Sequence, residues 1–130
     1  MIRVRIVTPE GVYRELETSI LNIRTVDGQR GILPSHMPLV TMLDIGVMST
    51  VEDGKRQHYA VAGGMVHFES DKATILTAAI EHEDDIDLER AKAALERAKR
   101  RLDDKQKPGT DYKRAELALK RALNRVNLRG

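Results

Sequence analysis

Arg90, Arg97 and Arg101 are separated by seven and four residues, and so are Arg114, Arg121 and Arg125. On a helix of about 3.6 residues per turn, those steps return to one face. Ala94 and Ala118 fill the place left open in each row. A guanidinium is a planar fork of donors that grips phosphate oxygens two at a time. Alanine beside it leaves room for a flat ring. Two such rows aimed at one groove would suit a polyphosphate. A basic face that only keeps a helix in water has the same composition, so the weight rests on repetition. "RAKAALERAKRRL" from Arg90 and "RAELALKRALNRV" from Arg114 carry the same arrangement twice.

Other reactive groups are dispersed. His36, His58, His67 and His82 include no pair at the four-residue helical spacing of a zinc site. His67 and Glu69 share a strand face, as surface pairs commonly do. The chain has no cysteine, which excludes disulfides and thiolate metal sites. "GQRG" and "AGG" lack the lysine of a phosphate loop, and no nucleophile elbow or triad is present. The expectation is a regulatory or structural part, not an enzyme. Glu81, Glu83, Asp84 and Asp85 read as a solvated acidic linker that also favours the start of a following helix.

The elements that must position the arginines divide the chain in two. Residues 1–85 hold 8 Lys+Arg against 13 Asp+Glu, a balance of −5, and residues 86–130 hold 14 against 7, a balance of +7. The front half alternates with period two. In "IRVRIV", Ile2, Val4 and Ile6 lie opposite Arg3 and Arg5. "SILNIRTV" continues the pattern, "DGQRG" reads as a turn or loop, and "LVTMLDIGVMSTV" as a strand pair or one bent strand. "EDGK" fits a type I′ hairpin turn. "RQHYAVA", "GMVHFE" and "KATILTA" read as three short strands, the first two separated by Gly63-Gly64. Many short strands favour a sandwich or a barrel. No apolar run approaches the roughly 20 residues that span a bilayer, and the N-terminus is strand-like, unlike a signal peptide.

The period changes at Ile86. Asp87 is the expected N-cap, and Leu88, Ala91, Leu95, Ala98 and Leu102 repeat at steps of three and four. "KPGTD" breaks the helix, with Thr110 or Asp111 capping the next. Tyr112, Ala115, Leu119, Ala122 and Val126 then repeat the seam. A short connection implies an antiparallel pair. Each buried alanine methyl contributes only roughly 0.8 kcal/mol, and helices this short are marginal alone. The periodicity is compatible with a hairpin that opens and closes, and with one docked permanently on the sheet.

"GILPSHMPLV" (31–40), "VAGGMVHF" (61–68), "IDLERA" (86–91) and "KRAELALKRALNR" (113–125) together, in this order, resemble the epsilon subunit of bacterial F-type ATP synthase. The resemblance runs over nearly the whole chain. It implies an α+β fold in two parts: a flattened antiparallel β-sandwich over residues 1–84, then an antiparallel two-helix hairpin over residues 85–130. It implies a non-catalytic rotor subunit that joins the gamma subunit to the polar loops of the c-ring. Through the hairpin it would restrain ATP hydrolysis against the alpha and beta catalytic subunits, at the cytoplasmic face of the cell membrane. "IDLERA" is similar to the ATP-binding signature of Bacillus-like epsilon subunits. Carried over residue by residue, Ile86, Asp87, Arg90 and Ala91 fall on that signature and Glu81 on an acidic position before it. Arg97, Arg114, Arg121 and Arg125 fall on arginines that such members place around the nucleotide. ATP would be a regulatory ligand, with Mg²⁺ able to accompany it, and no protein motif of its own binds a metal. Rotor contact is expected at Gln29, Arg30, Leu33 and His36. Two positions depart from the family pattern: Ser35 replaces a common glycine, and Gln29 a common glutamate.

A second class, a basic nucleic-acid-binding module, also fits a cationic tail. Its binding would fall steeply with salt. One Phe, three Tyr and no Trp give it few rings for base stacking.

Overall fold

The computed structural model describes residues 1–103 and 112–129. It forms two compact units, Met1–Glu83 and Asp84–Gly130. The first unit holds β1 (Ile2–Thr8), β2 (Gly11–Thr18), β3 (Leu21–Thr25), β4 (Gly28–Ile32), β5 (Leu39–Glu52), β6 (Lys55–Glu69), β7 (Lys72–Leu76) and β8 (Ile80–His82). The strand order is β2-β1-β7-β6-β5-β3-β4, with β8 added on β6. Pairing is antiparallel except between β1 and β7, which run parallel.

A bend turns this one sheet into a sandwich. The β5–β6 ladder runs from Leu39↔Phe68 to Leu43↔Gly64, skips a step, and resumes at Ile45↔Ala62. At the break Gly63 and Gly64 take φ values of 88° and 133°, which side chains rarely adopt. A Cβ on Gly64 would also collide with the Leu76 carbonyl. The two halves of β5 and β6 thereby belong to different layers. One layer adds β1, β2 and β7, and the other adds β3, β4 and β8. Between them lies one apolar cluster that includes Ile2, Val4, Ile6, Val66, Phe68 and Ile75 with Leu21, Ile23, Ile32, Met48, Tyr59 and Ile80. Each large aliphatic buried there contributes about 1.5–3 kcal/mol.

Three local expectations change. "DGQRG" is not a loop. Val26 and Asp27 make the turn, and Gly28–Ile32 forms β4 against β3. Thr25 organises this tight turn: its hydroxyl donates to the Gly28 carbonyl at 2.9 Å and accepts from the Asp27 N–H at 3.1 Å. "RQHYAVA" and "GMVHFE" are a single strand, β6, because the glycine pair bends the ladder without ending it. The acidic stretch is not plain linker either, since Glu81 lies in β8 and Glu83–Asp85 form a 3-10 turn. The "EDGK" turn forms as expected, with Asp53 and Gly54 at φ 51° and 76° and Glu52 opposite Lys55.

The open edge of the sandwich is closed by polar groups. Tyr59 donates its phenol hydrogen to Glu52 Oε2 at 2.8 Å and accepts from Arg14 Nη1 at 2.7 Å. Thr50 Oγ1 donates to the same Glu52 oxygen at 2.6 Å. The Arg14 guanidinium lies 5.5 Å from the centre of the Tyr59 ring. Thr18 Oγ1 accepts from the Val51 N–H at 2.8 Å, tying β2 to β5. His82 sits edge-on to Tyr59, with ring centroids 5.1 Å apart, and its Nε2 pairs with Gln57 Oε1 at 2.6 Å.

In the second unit, α1 (Leu88–Asp103) and α2 (Tyr112–Arg129) pack on each other. The residues of the expected "KPGTD" break and its caps, 107–111, lie outside the described residues. Arg129, at the end of α2, reaches Asp84, just before α1, at 3.8 Å. The end of α2 therefore lies at the start of α1, and the pair is antiparallel. Ala91, Ala98, Ala115 and Ala122 are buried, as the seam requires, while Leu88, Leu95, Leu102, Leu119 and Val126 are half-buried.

Burial first, and then the hydrogen bond to Glu52, push the Tyr59 phenol up from 10.0 to about 12, against the opposing pull of Arg14. Below pH 10 folded and unfolded chains both keep this proton, so the stabilisation is complete. Between pH 10 and 12 the unfolded chain loses the proton first, and the stabilisation falls. At neutral pH, Tyr59→Phe should cost about 1–3 kcal/mol. Urea titrations of both proteins should show that gap narrowing as pH rises from 10 to 12. A constant gap would remove Tyr59 as the cause.

Candidate functional site

Two surfaces carry distinctive chemistry, one in each unit. The first is the outer face of the layer built on β1, β2 and β7. Val7 pairs with Val12 and with Leu76, Leu76 with Met65, and Met65 with Met42. These five residues form one lateral row across β2, β1, β7, β6 and β5. Val12, Leu76 and Met42 are 48%, 43% and 55% exposed, and neighbouring Val40 is 63% exposed. A continuous apolar row left in water marks a place for a partner. Beside the middle of the row a shallow cavity of about 340 Å³ is lined by Val7 and Leu76 together with Thr8, Pro9, Gly64 and Thr77. Beside the row the face carries cross-strand ion pairs between β1 and β2. Arg5 meets Glu15 at 3.4 Å and Arg3 meets Glu17 at 3.6 Å.

The expected rotor-contact residues lie elsewhere in the first unit. Gln29 and Arg30 are exposed on β4, an edge strand. Leu33 is 58% exposed in the following loop. His36 is half-buried, its ring edge-on to Phe68 with centroids 5.8 Å apart and its Nδ1 2.7 Å from the Met37 carbonyl. Ser35 occupies φ 68°, the left-handed region that explains a preference for glycine. Its N–H donates to Asp71 Oδ1 at 2.6 Å, which holds the turn with serine in place.

The second surface is one flank of the hairpin. Arg90 and Arg97 each precede a buried seam alanine in α1, and Arg114 and Arg121 do the same in α2. One residue is about 100° of helical rotation, so each row borders the seam. An antiparallel pair is related by a two-fold axis perpendicular to the plane of the helices, which returns equivalent positions to the same flank. Both rows therefore lie on one side of the hairpin. Arg90, Arg97, Arg114 and Arg121 are exposed, and Arg125 is half-buried. Ile86, Asp87 and Ala91 lie at the start of α1, and Glu81 precedes it in β8. Ala91 is fully buried and Ile86 is 4% exposed. Asp87 accepts the Arg90 N–H on Oδ1 at 3.2 Å, and its carbonyl accepts the Ala91 N–H at 2.9 Å, so it starts α1 as the N-cap. Glu81 is half-buried in β8, opposite Ala60. Among the described residues no group of three or more acidic or histidine side chains is arranged to hold a metal.

The apolar row escaped the sequence. "LVTMLDIGV" is apolar at both parities, so it does not say which side chains face outward. Val12 sits in β2, whose exposed charges hid the strand. The available signal was in β1: Val7 falls on the same parity as the outward Arg3 and Arg5.

Two family models together match nearly the whole chain. The beta-sandwich domain of the ATP synthase Delta/Epsilon chain matches residues 1–83, and its long alpha-helix domain matches residues 84–129. An ATP synthase epsilon chain from Halalkalibacterium halodurans is 42% identical over 129 residues, covering 99% of this chain and 97% of that one. One from Bacillus velezensis is 43% identical over 129 residues, with 99% and 97% covered. A chain in the mitochondrial ATP synthase assembly of Euglena gracilis shares the fold at a TM-score of 0.77 and 24% identity, over 92% of this chain and 75% of that one.

Replacing Asp87 by alanine removes the oxygen that caps α1. The expected cost is about 1 kcal/mol, felt locally. Hydrogen exchange at the first-turn amides of α1 should quicken several-fold while exchange in β6 stays the same. Unchanged exchange in α1 would mean that the cap does not hold this helix.

Proposed function

The chain belongs to the ATP synthase delta/epsilon family, as a non-catalytic subunit of the epsilon type, and from that premise we propose how its two surfaces are used. The apolar row Val12–Val7–Leu76–Met65–Met42 carries the proposal. It docks the sandwich against the gamma subunit of the rotor. The paired charges beside it repel a partner that lacks complementary charge, and so set orientation more than affinity. Gln29 and Arg30 of β4, with Leu33 and His36 of the following loop, meet the polar loops of the c-ring. The subunit is thereby held at the cytoplasmic face of the membrane without entering it, and no described helix is long and apolar enough to cross a bilayer. Family membership displaces the nucleic-acid-module reading.

The hairpin is a brake that senses ATP. Closed, its arginine flank holds the phosphates of one ATP, with or without Mg²⁺. Asp87 fixes the start of α1. Open, the same arginines meet carboxylates on the alpha and beta subunits and hinder hydrolytic rotation. The buried alanines support this, because a seam of methyl groups separates at small cost. A ligand at about 100 times its dissociation constant stabilises the state it binds by about 2.7 kcal/mol. That suffices to reverse an equilibrium of a few kcal/mol.

Two measurements test these halves separately. Leu76→Asp changes an exposed side chain, so the fold should persist while affinity for gamma falls at least roughly tenfold, the effect of about 1.4 kcal/mol from an unpaired charge buried in an apolar contact. Undiminished affinity in calorimetry would clear this face of gamma.

For the hairpin, Arg90→Ala should weaken ATP binding about tenfold or more, the scale of a lost charge-assisted hydrogen bond. Lys92→Ala, off the arginine row, should change it little. Equal affinities would leave the arginines as a solvated face.

A further inference from the structure

The chain has no cysteine and five methionines, so thioethers are its only sulfur available for redox chemistry. Their environments differ sharply. Met48 is 1% exposed in the core, whereas Met1, Met37 and Met42 are 63%, 77% and 55% exposed. Met65 is half-buried and stands directly opposite Met42 on the antiparallel ladder. Cross-strand neighbours have Cβ atoms about 4.5–5.5 Å apart. Two thioethers therefore sit side by side within the apolar row, where the other members are Val7, Val12 and Leu76.

We propose that Met42 and Met65 form an oxidation-sensitive modification site, at which a hydroperoxide converts the thioethers to sulfoxides and so blocks docking of gamma. The inference rests on the docking role proposed for this row. In the reaction a sulfur lone pair attacks the outer peroxide oxygen and the O–O bond breaks. The sulfur gains the oxygen and loses two electrons. The peroxide is reduced by two electrons, and its other oxygen leaves with a proton as water or an alcohol. The product is a strongly polar acceptor in place of an apolar contact.

The consequence differs between free and docked protein. In the free subunit Met42 is largely exposed and Met65 half-exposed, so a sulfoxide on either reaches water, costs the fold little, and finds hydrogen bonds there. Under an apolar partner it loses that water, and the side chains of the row offer no donor to replace it. Burying such a group unpaired weakens association. Docking covers the row and shields both sulfurs, so the sensitivity belongs to the unassembled subunit. Sulfoxides are reducible, and the block is reversible in principle. A subunit damaged before assembly would stay out of the rotor until repaired.

The test uses the full chain, hydrogen peroxide and isolated gamma. Mass spectrometry follows each methionine, circular dichroism follows the fold, and calorimetry follows binding. Oxidised wild type should keep its fold and bind gamma roughly tenfold or more weakly. In the double variant Met42→Leu/Met65→Leu, which conserves volume, peroxide should leave the affinity at its own untreated value, whatever that value is relative to wild type, although Met1 and Met37 are still oxidised. Gamma-bound wild type should oxidise at Met42 and Met65 more slowly than free protein. Unchanged binding by oxidised wild type would overturn the proposal, as would equal loss in the double variant. Failure of untreated wild type to bind gamma would instead overturn the docking role, before any peroxide is added.

Discussion

The first unit depends on the bend at Gly63–Gly64. Without two successive residues at positive φ, β5 and β6 would be one long flat hairpin with an apolar face in water. With them, the far half of the hairpin folds over the near half and the two faces share a core. Gly64 is doubly constrained, because the Leu76 carbonyl occupies the space of a Cβ. That close approach also brings the ends of β7 and β1 alongside Met65, which aligns the apolar row. The same backbone feature thus makes the core and places the outer surface.

The polar edge is a different solution to the same geometry. A folded sheet leaves a seam where β2 comes to β5 and β6. Arg14, Glu52, Thr50 and Tyr59 fill it with mutually satisfied hydrogen bonds. Removing one partner strands the others, which makes such a network costly to break.

The second unit is built for weak cohesion. Its most deeply buried seam side chains are alanines, and the larger leucines remain half in water. Both arginine rows border that seam on one flank, while Lys92 and Lys99 of α1 fall on the opposite flank.

Much of this was written in the sequence, for reasons that differ by element. Alternation in "IRVRIV", the Asp-Gly turn at 53–54, the Asp87 cap and the Leu/Ala seam are local signals, and each appears where it was expected. Both arginine rows were legible too, because helical periodicity alone fixes their faces. The sequence determined these features because each depends on neighbours within a turn or a strand. Tertiary structure alone decided the continuity of β6, the strand character of Gln29 and Arg30, and the meeting of Val12, Val7, Leu76, Met65 and Met42. Those five residues come from five strands, and only the register of four separate ladders brings them into line. Register between distant strands is set by the shared core and the bend, and no short stretch of sequence contains it.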